Sequence, residues 1–302
     1  THCVAFSPDG ALLATATGST VKLWDVSSGD ELHTIPAGRL GLAAFSPDGQ
    51  TLAVGGSGGA ITLWDTADWS ERHTLEGPSG LTSAMAFSPD GQALAVAHVN
   101  SDVVRLWDVN EGRQIQAFTG HGQQVASVAF SPDGRLLAAA SGVQVKLWDA
   151  AGGGELQALS GHSDQVESVA FSPDGARLAT GATDVRLWEL AWGAEASESE
   201  PAPPPTVAPA APIVVTVPLS ERAISPENAH KVVQLESLKV DSAHQVAWSP
   251  DGAWLAVSAY HIHFYDAQTW EQVYVIDSVQ WPSGIAFSPD GTLLVSGSVD
   301  SS

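Results

Sequence analysis

Seven near-copies of the hexapeptide AFSPDG punctuate this chain, and they constrain its fold more than any other feature. The anchoring aromatics are Phe6, Phe45, Phe87, Phe130, Phe171, Trp248 and Phe287, at successive gaps of 39, 42, 43, 41, 77 and 39 residues. Self-similarity at that period marks a repeat architecture whose units cannot bury a core singly. Each copy has a local logic. In Ser46-Pro47-Asp48-Gly49 the proline presets φ at the second turn position. The aspartate can hydrogen-bond nearby backbone, and the glycine tolerates positive φ where the chain leaves the turn. Apolar runs flank the turn, so strand, tight turn and strand read as a hairpin.

The first repeat predicts four strands, around Cys3–Phe6, Leu12–Thr17, Val21–Trp24 and Glu31–Ile35. Alternation over Val21-Lys22-Leu23-Trp24 sends valine and leucine to one face, lysine and tryptophan to the other. The third strand ends in an aromatic and an acid each time: Trp24-Asp25, Trp64-Asp65, Trp107-Asp108, Trp148-Asp149 and Trp188-Glu189. A sixth unit carries Tyr265-Asp266 there, with Trp248 replacing the phenylalanine of its turn. The seventh starts near Ser283 and runs to Ser302, after two strands.

FSPDG turns followed by WD pairs resemble the WD-repeat family in a degenerate form of bacterial type, over most of the chain. That resemblance is specific for fold and nearly silent on function. It implies an all-β, seven-bladed β-propeller of four-stranded antiparallel blades, the last blade incomplete. The chain of 302 residues is then one large domain, and its 44% apolar content suffices for a sizeable core.

Residues 191–230 break the period with a segment rich in proline, alanine and acids, read as an insert or linker, disordered or polyproline-like over about 194–212. Ile213–Val217 is a short β-prone run whose place stays open. Residues 1–190 would form blades one to five. Residues 231–302 would supply the outer strand of blade five, then blade six and a truncated blade seven. Alternatively the later segment begins a second propeller, because domain boundaries favour such linker composition.

The family resemblance also implies a tie within each blade, joining a Gly-His before the first strand, a turn aspartate, a Ser or Thr and the tryptophan. Gly-His occurs only at Gly120-His121 and Gly161-His162, and the turn aspartate in its usual setting only at Asp300. No blade is expected to hold the full set. Stability should rest on sheet packing, with Trp24, Trp64, Trp107, Trp148 and Trp188 as structural anchors and His121 and His162 as minor contributors.

Net charge is −22, from 34 acidic and 12 basic residues, which disfavours nucleic acid as a partner. Thirteen of those acids sit in the SPDG turns or after the strand-ending aromatic, so the charge is partly architectural. No apolar run is long enough to cross a membrane. A lone cysteine, Cys3, allows no intramolecular disulfide and favours a reducing compartment such as the cytoplasm. The only methionine is Met85, so the chain reads as a fragment of a larger protein.

Catalytic signals are sparse. Cys3 lies in an inner strand without an evident activating base. His261 and His263, two apart on an expected strand, could offer two metal ligands, but no third is visible and two exposed histidines suffice as an explanation. No metal or other cofactor is expected. Propeller enzymes exist, yet none of their sites maps onto this sequence. A protein-interaction scaffold is therefore the expected function, against an enzyme or small-molecule binder with a site in the channel. The segment before each first strand lies on one rim. Six residues before each anchoring aromatic stand Arg39, Leu81, Gln124, Gln165, Ser242 and Trp281, of which Arg39 and Trp281 have the side chains most enriched in interface hot spots. The alternative reading of Trp281 is a side chain folded over its own blade. Trp69 and Trp270, each four residues after the acid of their blade, are read as structural caps.

Overall fold

A computed structural model describes residues 3–39, 41–190, 232–240, 242–277 and 282–298. Every regular element among them is a strand, and the strands form six four-stranded antiparallel sheets and one two-stranded sheet. In the first sheet, β1 (Cys3–Phe6), β2 (Leu12–Thr17), β3 (Thr20–Asp25) and β4 (Glu31–Pro36) pair in chain order. These are the four segments that the turn and alternation patterns delimit. The chain is an all-β propeller of six complete blades and an incomplete seventh.

All seven SPDG segments use the same hydrogen bonds. The glycine N–H closes the turn on the serine carbonyl, as from Gly49 to Ser46 at 2.9 Å. The serine hydroxyl donates to the aspartate, 2.6 Å from Ser46 Oγ to Asp48 Oδ1, and accepts the N–H that opens the next strand, 2.9 Å from Thr51. The aspartate also accepts the Gln50 N–H at 3.0 Å. The glycine φ is 72° at Gly49, which explains the residue type. Six of the turn glycines also meet the proline of a neighbouring turn: a Cβ on Gly49 would lie 3.5 Å from Pro8 Cδ, and one on Gly91 3.7 Å from Pro47 Cδ. We expect Ser131→Ala, at a fully buried serine, to cost about 1–3 kcal/mol in urea melts, since the Leu136 N–H and Asp133 both lose their partner. An unchanged midpoint would contradict this.

The acid after the third-strand aromatic is a turn former too. Asp25 Oδ1 accepts the N–H groups of Ser27 and Ser28, each at 2.9 Å, and Asp149 and Asp266 repeat the pattern. In all six complete blades the pairing of third with fourth strand shifts register at the aromatic, between Leu23 and Trp24 in the first. Five residues after the aromatic the backbone is left-handed. Glycine stands there at 29, 112 and 153, but Trp69 (φ 57°) and Trp270 (φ 60°) take the place in two blades. Their side chains reach neighbours: Trp69 stacks on His33 of the first blade at 5.6 Å, and Arg177 of the fifth blade lies 5.2 Å from the Trp270 ring.

The core is divided. Separate apolar clusters fill the wedges between consecutive blades, such as Ala14, Val21, Leu23, Leu52 and Val54 between the first and second. The fifth blade pairs β17 (Ser168–Phe171), β18 (Arg177–Gly181), β19 (Asp184–Leu190) and β20 (Val232–Lys239), so its outer strand comes from beyond residues 191–231.

The blade ties require a correction. The fifth blade holds the full set that sequence reasoning denied it. Trp188 Nε1 donates to Thr180 Oγ1 at 3.0 Å, and that hydroxyl lies 2.7 Å from His162 Nε2. His162 Nδ1 lies 2.6 Å from Asp184 Oδ1, and Arg186 pairs with Asp184 Oδ2 at 3.0 Å. Asp184 escapes notice because its turn is short, only Ala182-Thr183, so the aspartate opens the third strand itself. The fourth blade has a partial tie: Trp148 Nε1 donates to His121 Nε2 at 3.1 Å, and His121 Nδ1 lies 2.9 Å from Asp102 O. In the first, Trp24 donates to Thr15 at 2.9 Å without a histidine. The Trp64 and Trp107 indole N–H groups have no protein partner. Asp300 lies outside the described residues.

Candidate interaction rim and central channel

The segments that enter the first strands are fastened to the turns between second and third strands, often those of the preceding blade. Thr82 N–H donates to Gly56 O, Val166 N–H to Gly142 O and Ala243 N–H to Ala182 O, at 3.2, 2.8 and 2.6 Å. This pins the loops of one end of the propeller to each other. Arg39 is exposed there, its own N–H donating to Ser57 Oγ at 3.2 Å. Leu81 is half-buried and its carbonyl accepts the Val99 N–H at 2.7 Å. Gln124 is half-buried and Gln165 exposed, with the Gln165 N–H on Asp164 Oδ1 at 2.8 Å. Ser242 is exposed with φ 67°. Trp281 lies outside the described residues.

One cavity of about 300 Å³ runs between the first strands, and every blade contributes to it, through Cys3, Leu42, Ser83, Ser127, Glu167, His244 and Ser283. Its wall is stitched by side chains reaching the next blade. Ser83 Oγ donates to Val125 O at 2.7 Å, Ser168 Oγ accepts the Val246 N–H at 3.1 Å, and Gln245 Oε1 accepts the Ile285 N–H at 2.8 Å. Cys3 takes part in the same way, 3.4 Å from Ala43 O. Burial pushes its thiol up, away from the reactive thiolate. Burial likewise raises the Glu167 carboxyl, opposed by His244 and reinforced by Asp164. Glu167 and His244 escaped sequence reasoning, which looked six residues before the aromatic. Both stand four before it, the position that faces the channel.

The histidine pair at 261 and 263 is not assembled as expected. His261 sits in the turn before β23 (Ile262–Asp266), edge-on to Tyr260 at 4.7 Å. His263 is on that strand, with Nδ1 2.9 Å from Gln272 Oε1. Among the described residues no three His, Cys, Asp or Glu side chains come together as a metal site.

Three buried histidines give the fold an acid dependence. Desolvation is the largest effect on His98, His121 and His162, and it lowers the pKa of each. At His162 it outweighs the adjacent Asp184, whose own carboxyl is held low by His162 and Arg186 despite burial. The unfolded chain titrates its histidines near about 6.5. Below that pH the unfolded state binds more protons, so the stabilisation from these groups is complete above it. It is lost as pH falls towards the lowered folded values. A melting temperature that declines steadily from pH 7.5 to 5 is expected, and a flat profile would refute the assignment.

With rim and channel defined, the class is clear: a four-stranded-blade propeller whose repeats carry the FSPDG turn and the WD pair. The chain belongs to the WD40 family. The model "WD domain, G-beta repeat" matches residues 2–25, 32–65, 69–108, 112–149, 153–189 and 271–302, more than half of the chain. Curated relatives share short stretches. The protein tipD of Dictyostelium discoideum is 35% identical over 82 residues, covering 26% of this chain and 13% of that protein. The transcriptional corepressor LEUNIG_HOMOLOG of Arabidopsis thaliana is 38% identical over 69 residues, 22% of this chain and 9% of that one. The WD repeat, SAM and U-box domain-containing protein 1 of Danio rerio is 39% identical over 77 residues, 24% and 16%. The matches thus span less than a fifth of each relative's length.

Proposed function

We propose that this chain is a non-catalytic protein-interaction scaffold, folded as one ring and forming part of a larger protein, that recognises its partner on the rim around the channel mouth. The carrying observation is the contrast between a repeated framework and a variable rim. The SPDG bonds recur in all seven units, whereas the rim position changes from Arg39 to Leu81, Gln124, Gln165, Ser242 and Trp281. Family membership, a relative named as a transcriptional corepressor and one whose name joins WD repeats to SAM and U-box domains support the same reading. The single ring, rather than two tandem propellers, is supported by the last turn meeting the first. A Cβ on Gly10 would lie 3.5 Å from Pro289 Cδ. Cys3 and Ser283 also line the same channel. The acidic surface argues for a protein partner over nucleic acid.

Pull-down of partners by the wild-type chain and by an Arg39→Ala, Trp281→Ala double variant tests this. Recovery should fall at least tenfold; equal recovery would remove the site from the rim. One observation favours the second reading, a small-molecule site in the channel: Glu167 and His244 both face it. Hydrolase activity abolished by Glu167→Gln would establish that reading in place of the scaffold.

A further inference from the structure

Each lysine or arginine on a third strand has a counter-charge, except one. The residue two before the tryptophan is Lys22, Lys146 and Arg186 in the first, fourth and fifth blades. Lys22 pairs with Glu31 at 2.6 Å and Lys146 with Glu155 at 2.7 Å, each glutamate standing opposite the tryptophan on the fourth strand. Arg186 pairs with Asp184, four residues before its tryptophan. The third blade has Arg105 at this position, but Gln114 stands opposite Trp107 and Val103 stands four before it. Both routes to a counter-charge are closed. Among the described residues Arg105 makes no ion pair and donates no hydrogen bond, although it is half-buried and its Nη1 is fully enclosed.

The same corner of the blade holds further polar atoms without protein partners. Here β9 (Thr82–Phe87), β10 (Ala93–His98) and β11 (Val104–Asp108) meet the rim. Pro78 takes the place of His121 and His162, nine residues before the aromatic, and the histidine comes instead from the end of β10. His98 is fully buried. Its Nε2 donates to Gly59 O of the second blade at 2.8 Å, and its Nδ1 has no protein partner. Thr82, opposite His98 on β9, is buried with its hydroxyl unpaired. Burial lowers the His98 pKa, Gly59 O opposes this, and the Arg105 charge reinforces it, which sets Arg105 beside the ring. The facing turn of the second blade, residues 55–59, is four glycines and a serine, so no long side chain closes the corner off. Arg39, exposed and without an ion pair, is held to that same turn by its N–H on Ser57 Oγ.

We propose that Arg105 is a carboxylate-binding site on the rim, in the cleft between the second and third blades, and that the scaffold's partner presents an acidic segment to it. One Asp or Glu side chain of that segment takes Nε and Nη2 of Arg105, the nitrogens that are not enclosed, in a forked pair. A neighbouring acid meets Arg39 across the glycine turn. A partly desolvated guanidinium without a counter-ion costs free energy that an arriving carboxylate recovers. The net charge of −22 does not forbid this, since charges more than about 8 Å away are largely screened at physiological salt. The proposal rests on the rim as the docking place and adds what the partner must carry there.

The probe is the peptide acetyl-GEGEG-amide, titrated into the full chain and followed by NMR of the arginine Nε–Hε resonances, with that of Arg105 assigned by its loss in Arg105→Gln. A saturable shift of the Arg105 resonance is expected, together with a rise in melting temperature that Arg105→Gln abolishes and Arg105→Lys retains only in part. Acetyl-GQGQG-amide and acetyl-GKGKG-amide should produce neither. Because the Arg105 charge is unpaired in the free chain, Arg105→Gln should keep or raise the melting temperature when no peptide is present. A fall there would mark Arg105 as a structural residue and overturn the proposal. So would the lysine peptide shifting the Arg105 resonance as far as the glutamate peptide does, or the absence of any saturable shift at millimolar peptide. If the site fails in these ways while the Arg39→Ala, Trp281→Ala variant still loses its partner, the rim reading stands without it.

Discussion

Trp148→Ala is expected to lower the unfolding free energy by about 3–5 kcal/mol, the range for truncating a large buried aromatic. Trp148 is 5% exposed and sits in the cluster between the third and fourth blades, its ring 5.7 Å from Phe118. Its removal opens a hole in a wedge whose two sheets are held apart by their other side chains. His121→Ala is the informative companion. From sequence its cost is about 1 kcal/mol or less, as for one exposed hydrogen bond. The structure raises that figure, because His121 is buried and accepts the Trp148 indole while its other nitrogen meets Asp102 O of the preceding blade. Truncation leaves an indole N–H and a carbonyl unpaired, for about 1–3 kcal/mol. The ranking remains, with Trp148→Ala the larger. Urea melts of both single variants and the double variant measure it, and the double variant should lose less than the sum, as expected for contacting residues. Equal losses in the two single variants would refute the packing argument.

Gly56→Ala is expected to destabilise by about 3 kcal/mol or more, at the upper end of overpacking effects. A Cβ on Gly56 would lie 1.6 Å from Ala37 O, a backbone atom with no rotamer to escape into. Gly56 O also accepts the Thr82 N–H at 3.2 Å, so any shift that relieves the clash pulls on the third blade. Gly58, two residues away in the same turn, has nothing within 4 Å of its Cβ position and should accept alanine at a cost below about 0.5 kcal/mol. Similar thermal midpoints for the two variants would show that this loop yields, and that the blades are not clamped at their rim turns.

How much was legible in the sequence follows from the range of each interaction. The SPDG turn closes all its hydrogen bonds within five residues, from Ser46 to Thr51, so its composition reports its shape directly. Strand bounds follow, because each turn ends one strand and opens the next. The strand-ending acid is equally local, since Asp25 caps the turn at Ser27 and Ser28. The blade tie was misjudged because its members are separated: His162 meets Asp184 across 22 residues. A shortened turn moved the aspartate out of its familiar setting without moving it out of reach.

The candidate sites divide in the same way. That the rim is variable can be read from an alignment of the chain with itself, since every copy of the AFSPDG hexapeptide marks an equivalent position. Which of those side chains are exposed could not be read, and Gln124 and Gln165 differ in burial at the same position. By itself the sequence determined the repeat, its turns and its strands, because each rests on hydrogen bonds among near neighbours. Only the tertiary structure placed Glu167 and His244 on one channel and completed the tie at Asp184. Those features join residues of different strands and blades, and their approach is set by how the sheets pack, which no spacing along the chain encodes.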